Sequence, residues 1–166
     1  MKRDREPIAQ GVAVHYQPQR HLLKDRIILV TGASDGIGRE AALTYARYSA
    51  SVILLGRNDD KLRTVAQEIE REGGIPPRWF TLDLLTCTPQ ACQQLAQQIS
   101  MHYPRLDGVL HNAGLLGDIC PMEEQKPEVW QQVMQVNVNG TFMLTQALLP
   151  LLLRSESGSL VFTSSS

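Results

Sequence analysis

The chain has 166 residues, 43% hydrophobic and 20% charged, with a formal net charge of −1, which describes one globular domain with room for a substantial core. So balanced a charge gives no electrostatic case for a nucleic-acid partner or an anionic membrane surface. Cys87, Cys92 and Cys120 form no C-x-x-C pair and no metal-ligand spacing, so no metal is expected and the thiols read as buried or idle in a reducing compartment.

The start, Met1-Lys2-Arg3-Asp4-Arg5-Glu6-Pro7, is charged and lacks the apolar core of a signal peptide. Residues 1 to about 20 mix charge, Gln and Pro without periodicity and are expected to be a mobile tail, leaving 21–166 as the folded domain. The most apolar stretch, Phe142 to Leu153, is too short to span a bilayer and contains Thr145, Gln146 and Pro150. A cytoplasmic chain with no membrane partner is expected.

A first strand is predicted over about Arg26 to Val30. Gly32, Gly36 and Gly38 follow with the spacing G-x-x-x-G-x-G, and a helix runs from Arg39 to Tyr48 with Ile37, Ala41, Tyr45 and Tyr48 at three-to-four spacing. Strand, tight turn and helix in that order hold a dinucleotide in α/β proteins. Gly32 allows the turn, Gly36 admits a pyrophosphate close to the backbone, and Gly38 lets the helix pack on the strand. The new helix turns its unpaired N–H groups toward the phosphates.

Ser51 to Leu55 is a continuous apolar run, typical of a strand covered on both faces, and it ends at Gly56-Arg57-Asn58. Asp59 and Asp60 suit a helix start, Leu62, Val65, Ala66 and Ile69 make its apolar face, and Gly73-Gly74 stop it. Trp79 to Leu82 is a third strand closing on Asp83-Leu84. Thr88-Pro89 opens a helix that buries Cys92, Leu95, Ala96 and Ile99. Leu106 to His111 is a fourth strand followed by Asn112-Ala113-Gly114. One long helix is predicted from about Pro127 to about Arg154, then a fifth strand over Leu160 to Thr163. Strands alternating with helices at this spacing predict an α/β fold with a doubly wound parallel sheet.

Ligands of such sheets bind at the C-terminal ends of the strands, and each strand here ends in a small or polar cluster. Where an acidic residue would bind the ribose hydroxyls of NAD, this chain has Gly56-Arg57. The glycine leaves room for a 2′-phosphate and the arginine supplies a forked cation to grip it; the plain alternative is a solvated surface arginine. Asp35, inside the glycine turn, works against this by repelling phosphate. Asp83 is placed to meet an adenine amino group and Leu84 to wall the ring, unless Asp83 only caps a turn. Asn112, Ala113 and Gly114 allow a cofactor sugar or ring to come close. Asn137 interrupts an apolar stripe of Trp130, Val133, Met134, Val138 and Thr141. A buried unpaired amide costs about 1–3 kcal/mol, so Asn137 needs a partner, a bound water or a local bond.

Thr31-Gly32-Ala33-Ser34-Asp35-Gly36-Ile37-Gly38, Asp83-Leu84, Asn112-Ala113-Gly114, Asn137 and the strand running into Ser164-Ser165 resemble the short-chain dehydrogenase/reductase family, and more narrowly its enterobacterial YciK-type oxidoreductases. The resemblance covers about residues 24 to 166. One departure is His111, where the family usually has Asn; it is expected to serve as strand-end packing. The resemblance implies a Rossmann fold, incomplete at its C-terminus, with cofactor-binding roles for Thr31, Gly32, Ser34, Asp35, Gly36, Ile37, Gly38, Arg57, Asp83, Leu84, Asn112, Ala113 and Gly114. It implies NADP, with NAD possible, and hydride transfer to or from a small carbonyl or alcohol substrate. Ser165 matches the serine that hydrogen-bonds the substrate oxygen, and Asn137 the asparagine that holds a water in the proton relay.

The family's catalytic acid is a Tyr followed four residues later by Lys, about a dozen residues past the serine. Tyr16, Tyr45, Tyr48 and Tyr103 are followed at that distance by Arg20, Ser49, Val52 and Asp107. The chain therefore reads as the first two-thirds of an enzyme, inactive alone and a homo-oligomer when full length. The rivals are a nucleotide-binding module without catalysis, and an unrelated α/β nucleotide binder such as a methyltransferase. The second rival does not explain Asn137 and Ser165 together. The loop Leu115 to Met122 is expected to border the substrate pocket, and its apolar content permits many substrates.

Overall fold

The structure, a computed structural model, describes residues 17–164. Residues 1–16 of the expected tail and the expected catalytic Ser165 lie outside the described residues. Five parallel strands, β1 (Ile27–Thr31), β2 (Ser51–Gly56), β3 (Arg78–Thr81), β4 (Gly108–His111) and β5 (Ser159–Phe162), form one sheet in the order β3-β2-β1-β4-β5. Helices α1 (Gly36–Arg47) and α2 (Asp59–Arg71) cover one face; α3 (Pro89–Ser100) and α5 (Thr141–Leu152) cover the other. The predicted doubly wound sheet is present, with β1 at the middle of the five strands.

The alternation of strand side chains divides the core in two. Leu29, Ile53 and Val109 meet Cys92, Leu95, Ile99, Leu144 and Leu148 on one side, while Val30, Leu54 and Leu110 meet Ala42, Leu43, Leu62 and Ile69 on the other. Each large side chain fully buried there contributes about 1.5–3 kcal/mol. At the N-terminal ends of the strands, buried Asp107 accepts from Ile27 N at 2.9 Å, Arg105 Nε at 2.8 Å and Ser155 Oγ at 2.6 Å, tying β1 to β4 on the side away from the strand ends that carry the motifs.

Four local expectations are corrected. In α1, Ala42, Leu43 and Ala46 face the sheet, whereas Ile37 is 70% exposed: small side chains let the helix lie close, and Ile37 sits on the first turn at the sheet's upper edge. In α2 the cap is Asn58, whose Oδ1 accepts from Lys61 N at 3.0 Å, and the two aspartates occupy the first turn instead. The single long helix is instead α4 (Pro127–Met134), a π-helical turn over Gln135–Gly140 and then α5, ending at Leu152. Nothing in α4 is buried, and Trp130 is 57% exposed, so the apolar stripe containing Asn137 is not a core stripe among the described residues.

Gly38 shows how tightly α1 meets the turn. A Cβ there would stand 2.3 Å from the Gly32 carbonyl oxygen and 2.6 Å from Asn112 Nδ2, too close for either to remain. Gly38→Ala therefore forces the helix off the turn and is expected to cost about 1–3 kcal/mol, as overpacking does. Urea denaturation of the full-length protein measures it, and an unchanged midpoint would show that the helix start yields freely.

Candidate active site

The site is assembled at the C-terminal edge of β1, and the Thr31 hydroxyl is its joint. Thr31 is buried, and its Oγ1 accepts from both Asn112 N and Ala113 N at 3.0 Å. Those two N–H groups leave β4 just where its ladder stops, so one side chain satisfies both at about 0.5–1.5 kcal/mol each. Thr163 N, beyond β5, bonds His111 O at 2.9 Å, and Thr163 Oγ1 bonds Asn112 Oδ1 at 3.3 Å. The chain therefore runs into Ser164 beside Asn112. Gly32 (φ +66°) turns under Ala113, where a Cβ would meet Ala113 Cα at 3.0 Å.

Gly36 is different. Its φ is +54° and a Cβ there would touch nothing within 4 Å among the described residues, so they leave open space over the helix start. Asp35 caps that start, accepting from Gly36 N at 2.9 Å. Its other oxygen receives Lys61 Nζ at 2.8 Å, and this bond, followed by the Gly36 N–H, holds the Asp35 carboxyl below the usual carboxylate range. The repulsion expected of Asp35 is thus met by a cation that sequence reasoning missed. Gly56 abuts the turn, a Cβ there lying 3.5 Å from Ser34 Oγ. Arg57 is exposed, and among the described residues it makes no ion pair.

Asp83 is half-buried and its Oδ1 accepts from Leu85 N at 3.0 Å, so it does cap a turn. Leu84 does not line the surface. It is buried in the core under Gly140, where a Cβ on Gly140 would come within 3.0 Å of its own Cβ. The Leu84 carbonyl accepts from Gln135 Nε2 at 3.2 Å, which joins this segment to the π-turn.

Asn137 lies in that π-turn. It is exposed, not buried, and both ends of its amide are used: Oδ1 accepts from Leu115 N at 2.8 Å and Nδ2 donates to Leu115 O at 3.0 Å. The partner it needed is the backbone just past Gly114, where a Cβ would sit 3.6 Å from Asn137 Oδ1. The turn's wider coil, common at functional sites, puts this amide opposite the end of β4. Beyond it, Leu116, Ile119 and Met122 stand exposed on the loop expected to border a substrate pocket. Burial raises Tyr45 and Tyr103, the opposite of an activated proton donor.

A family model for short chain dehydrogenase matches residues 26–166. The chain belongs to the short-chain dehydrogenase family. It is 76% identical over 153 residues to the oxidoreductase YciK of Escherichia coli K12, covering 92% of this chain and 61% of YciK. A short-chain dehydrogenase from Shigella flexneri 2a strain 301 complexed with NADP matches at TM-score 0.87 and 76% identity, over 89% of this chain and 62% of that one. One from E. coli CFT073 complexed with NADPH matches at TM-score 0.88 and 76% identity, with the same coverage. The chain thus spans about three-fifths of the length of these relatives.

The family's usual Asn at the fourth strand end is His111 in this member, and its packing role is visible. The ring is buried, stacks on Phe162 with centroids 5.0 Å apart, and bonds Thr145 Oγ1 through Nε2 at 2.9 Å, leaving Nδ1 without a partner among the described residues. Burial pushes its pKa down to about 4 from 6.5. An unfolded chain takes up this proton first as the pH falls, so His111 leaves stability whole above about 6.5 and drains it progressively down to about 4. In His111→Asn that component is absent. Urea unfolding free energies from pH 7 to pH 4 should fall by about 2–3 kcal/mol less in the variant, at about 1.4 kcal/mol per pKa unit. Parallel pH profiles would show that the ring is not held neutral.

Proposed function

We propose that this chain is the cofactor-binding part of an NADP-preferring oxidoreductase that transfers a hydride between a nicotinamide cofactor and a small carbonyl or alcohol substrate. The observation that carries this reading is the open space over Gly36 together with an exposed Arg57 that has no ion-pair partner among the described residues. A glycine at 56 presents no carboxylate to the ribose, and the cation that follows suits a 2′-phosphate. The relatives of like sequence that are complexed with NADP or NADPH support the same reading.

In this reading the start of α1, open over Gly36, receives the pyrophosphate through the backbone N–H groups that follow Gly36. Thr31 keeps the β1 turn and the β4 end in register, Ser34 and Arg57 face the adenosine ribose, and Asp83 offers a carboxylate to the adenine. Asn112, Ala113 and Gly114 leave room for the cofactor's second sugar. The bound cofactor supplies or accepts the hydride. Asn137 holds the Leu115 backbone at the edge of the reacting centre, and Ser165 hydrogen-bonds the substrate oxygen as charge develops on it. The proton itself requires a Tyr-x-x-x-Lys, which no tyrosine of this sequence begins.

Cofactor titration tests the reading. The full-length protein should bind NADPH more tightly than NADH, and Arg57→Ala should erase about 1–3 kcal/mol of that difference, the worth of a charged hydrogen bond. Equal affinities in the unsubstituted protein would refute it. Residues 1–166 alone should bind NADP(H) weakly at most and show no carbonyl-reductase turnover; turnover would place the acid among these residues.

The complete protein is a homo-oligomer in the same reading. Phe142, Leu149 and Leu153 of α5 and its C-cap are exposed while Leu144, Leu148, Leu151 and Leu152 fill the core, so the helix carries more apolar surface than the sheet covers. Sedimentation as a monomer at micromolar concentration would count against it.

A further inference from the structure

Lys61 projects away from its own helix. It stands in the first turn of α2, behind Asp59 and Asp60, where the helix dipole favours acids and opposes a cation. Its Nζ crosses to Asp35 Oδ2 at 2.8 Å, on the turn that follows β1. The two segments are already in contact at their base, since a Cβ on Gly56 would lie 3.5 Å from Ser34 Oγ. Arg57, Lys61 and Asp35 therefore frame one mouth between the ends of β1 and β2. Arg39 adds its field to Asp35 while its guanidinium is paired with Glu68, and Arg63 is taken by Asp59 and Asp60.

Resting on the NADP reading above, we propose that Lys61 is a specificity-determining positioning residue that acts through Asp35. A carboxylate one residue before Gly36 repels a 2′-phosphate and offsets the charge of Arg57. Lys61 cancels that carboxylate, so Arg57 meets the phosphate without opposition from Asp35. The glycine turn thus retains its Asp cap, which accepts from Gly36 N, without losing a cofactor that carries additional negative charge. Because both partners are solvated, the effect is modest and sensitive to salt.

Dissociation constants for NADPH and NADH, read by cofactor fluorescence on the full-length protein at low ionic strength, test this. Lys61→Gln should weaken NADPH about threefold to tenfold and NADH less than about twofold, since only the former carries the extra phosphate. Adding Asp35→Asn should return NADPH to within about twofold of the unsubstituted protein, and raising the salt should shrink the Lys61→Gln effect. Equal loss of both cofactors would overturn the proposal in favour of simple support of the turn. A double variant as weak as Lys61→Gln would overturn it in favour of direct contact between Lys61 and the phosphate. If the unsubstituted protein shows no NADPH preference, the NADP reading itself fails; if it shows one that Lys61→Gln leaves intact, only the present proposal fails.

Discussion

The hydroxyl of Thr31 is the point on which the candidate site depends. Parallel strands end in backbone groups that the ladder no longer pairs, and at the C-terminal edge those groups must be satisfied or left to solvent. Thr31 Oγ1 takes the N–H groups of Asn112 and Ala113 together, so β4 cannot leave the sheet in any direction but across the glycine turn. That path carries Asn112 Nδ2 into the space a side chain on Gly38 would need, and Ala113 Cα to within 3.0 Å of where a Cβ on Gly32 would be. Gly32 and Gly38 are set by this crossing as much as by any ligand.

A second joint lies in the π-turn. Gly140 has Leu84 packed against it, Gln135 bonds the Leu84 carbonyl, and Asn137 clamps Leu115 by both ends of its amide. Three segments far apart in the chain, the ends of β3 and β4 and the long helical run, are thereby locked together. The extra backbone atoms of the π-turn let residues of one face of a helix reach two different strand ends. Thr145, one turn into α5, extends the link by bonding both Thr141 O and His111 Nε2.

Charge is arranged on the same economy of position. Buried Asp107 is held at one end of β4 by Arg105, Ser155 and the Ile27 N–H, while neutral His111 closes the other. Asp35, Lys61 and Arg57, at the ends of β1 and β2, are by contrast exposed. Buried polar groups of this chain therefore fasten strands, and the cations that suit an anionic ligand stay in water, where they cost little desolvation.

Much of this is legible in the amino-acid sequence. Alternation of apolar runs with helical periodicity foretells all five strands and the helices on both faces; Leu62, Val65, Ala66 and Ile69, or Cys92, Leu95 and Ile99, are buried as their spacing predicts, because local periodicity alone decides which face of a short amphipathic helix is apolar. The glycine turn and the segments at the strand ends are legible too, since backbone approach requires glycine whatever the rest of the chain does. Other features depend on residues distant in sequence. Ile37 is apolar yet exposed, and Leu84 is buried beneath Gly140, because the closeness of α1 and the seat of Gly140 are settled by how elements pack. Asn137 reads as a buried amide from its stripe, but its two bonds run to Leu115, 22 residues away, across a π-turn that no periodicity announces. Lys61 looks like any surface lysine until the fold brings it to Asp35, 26 residues back in the chain. Sequence by itself determined the elements and the motifs at their ends, through backbone sterics and local periodicity; tertiary structure alone decided which polar groups meet, since a hydrogen bond or ion pair exists only where packing has already brought its two ends within about 3 Å.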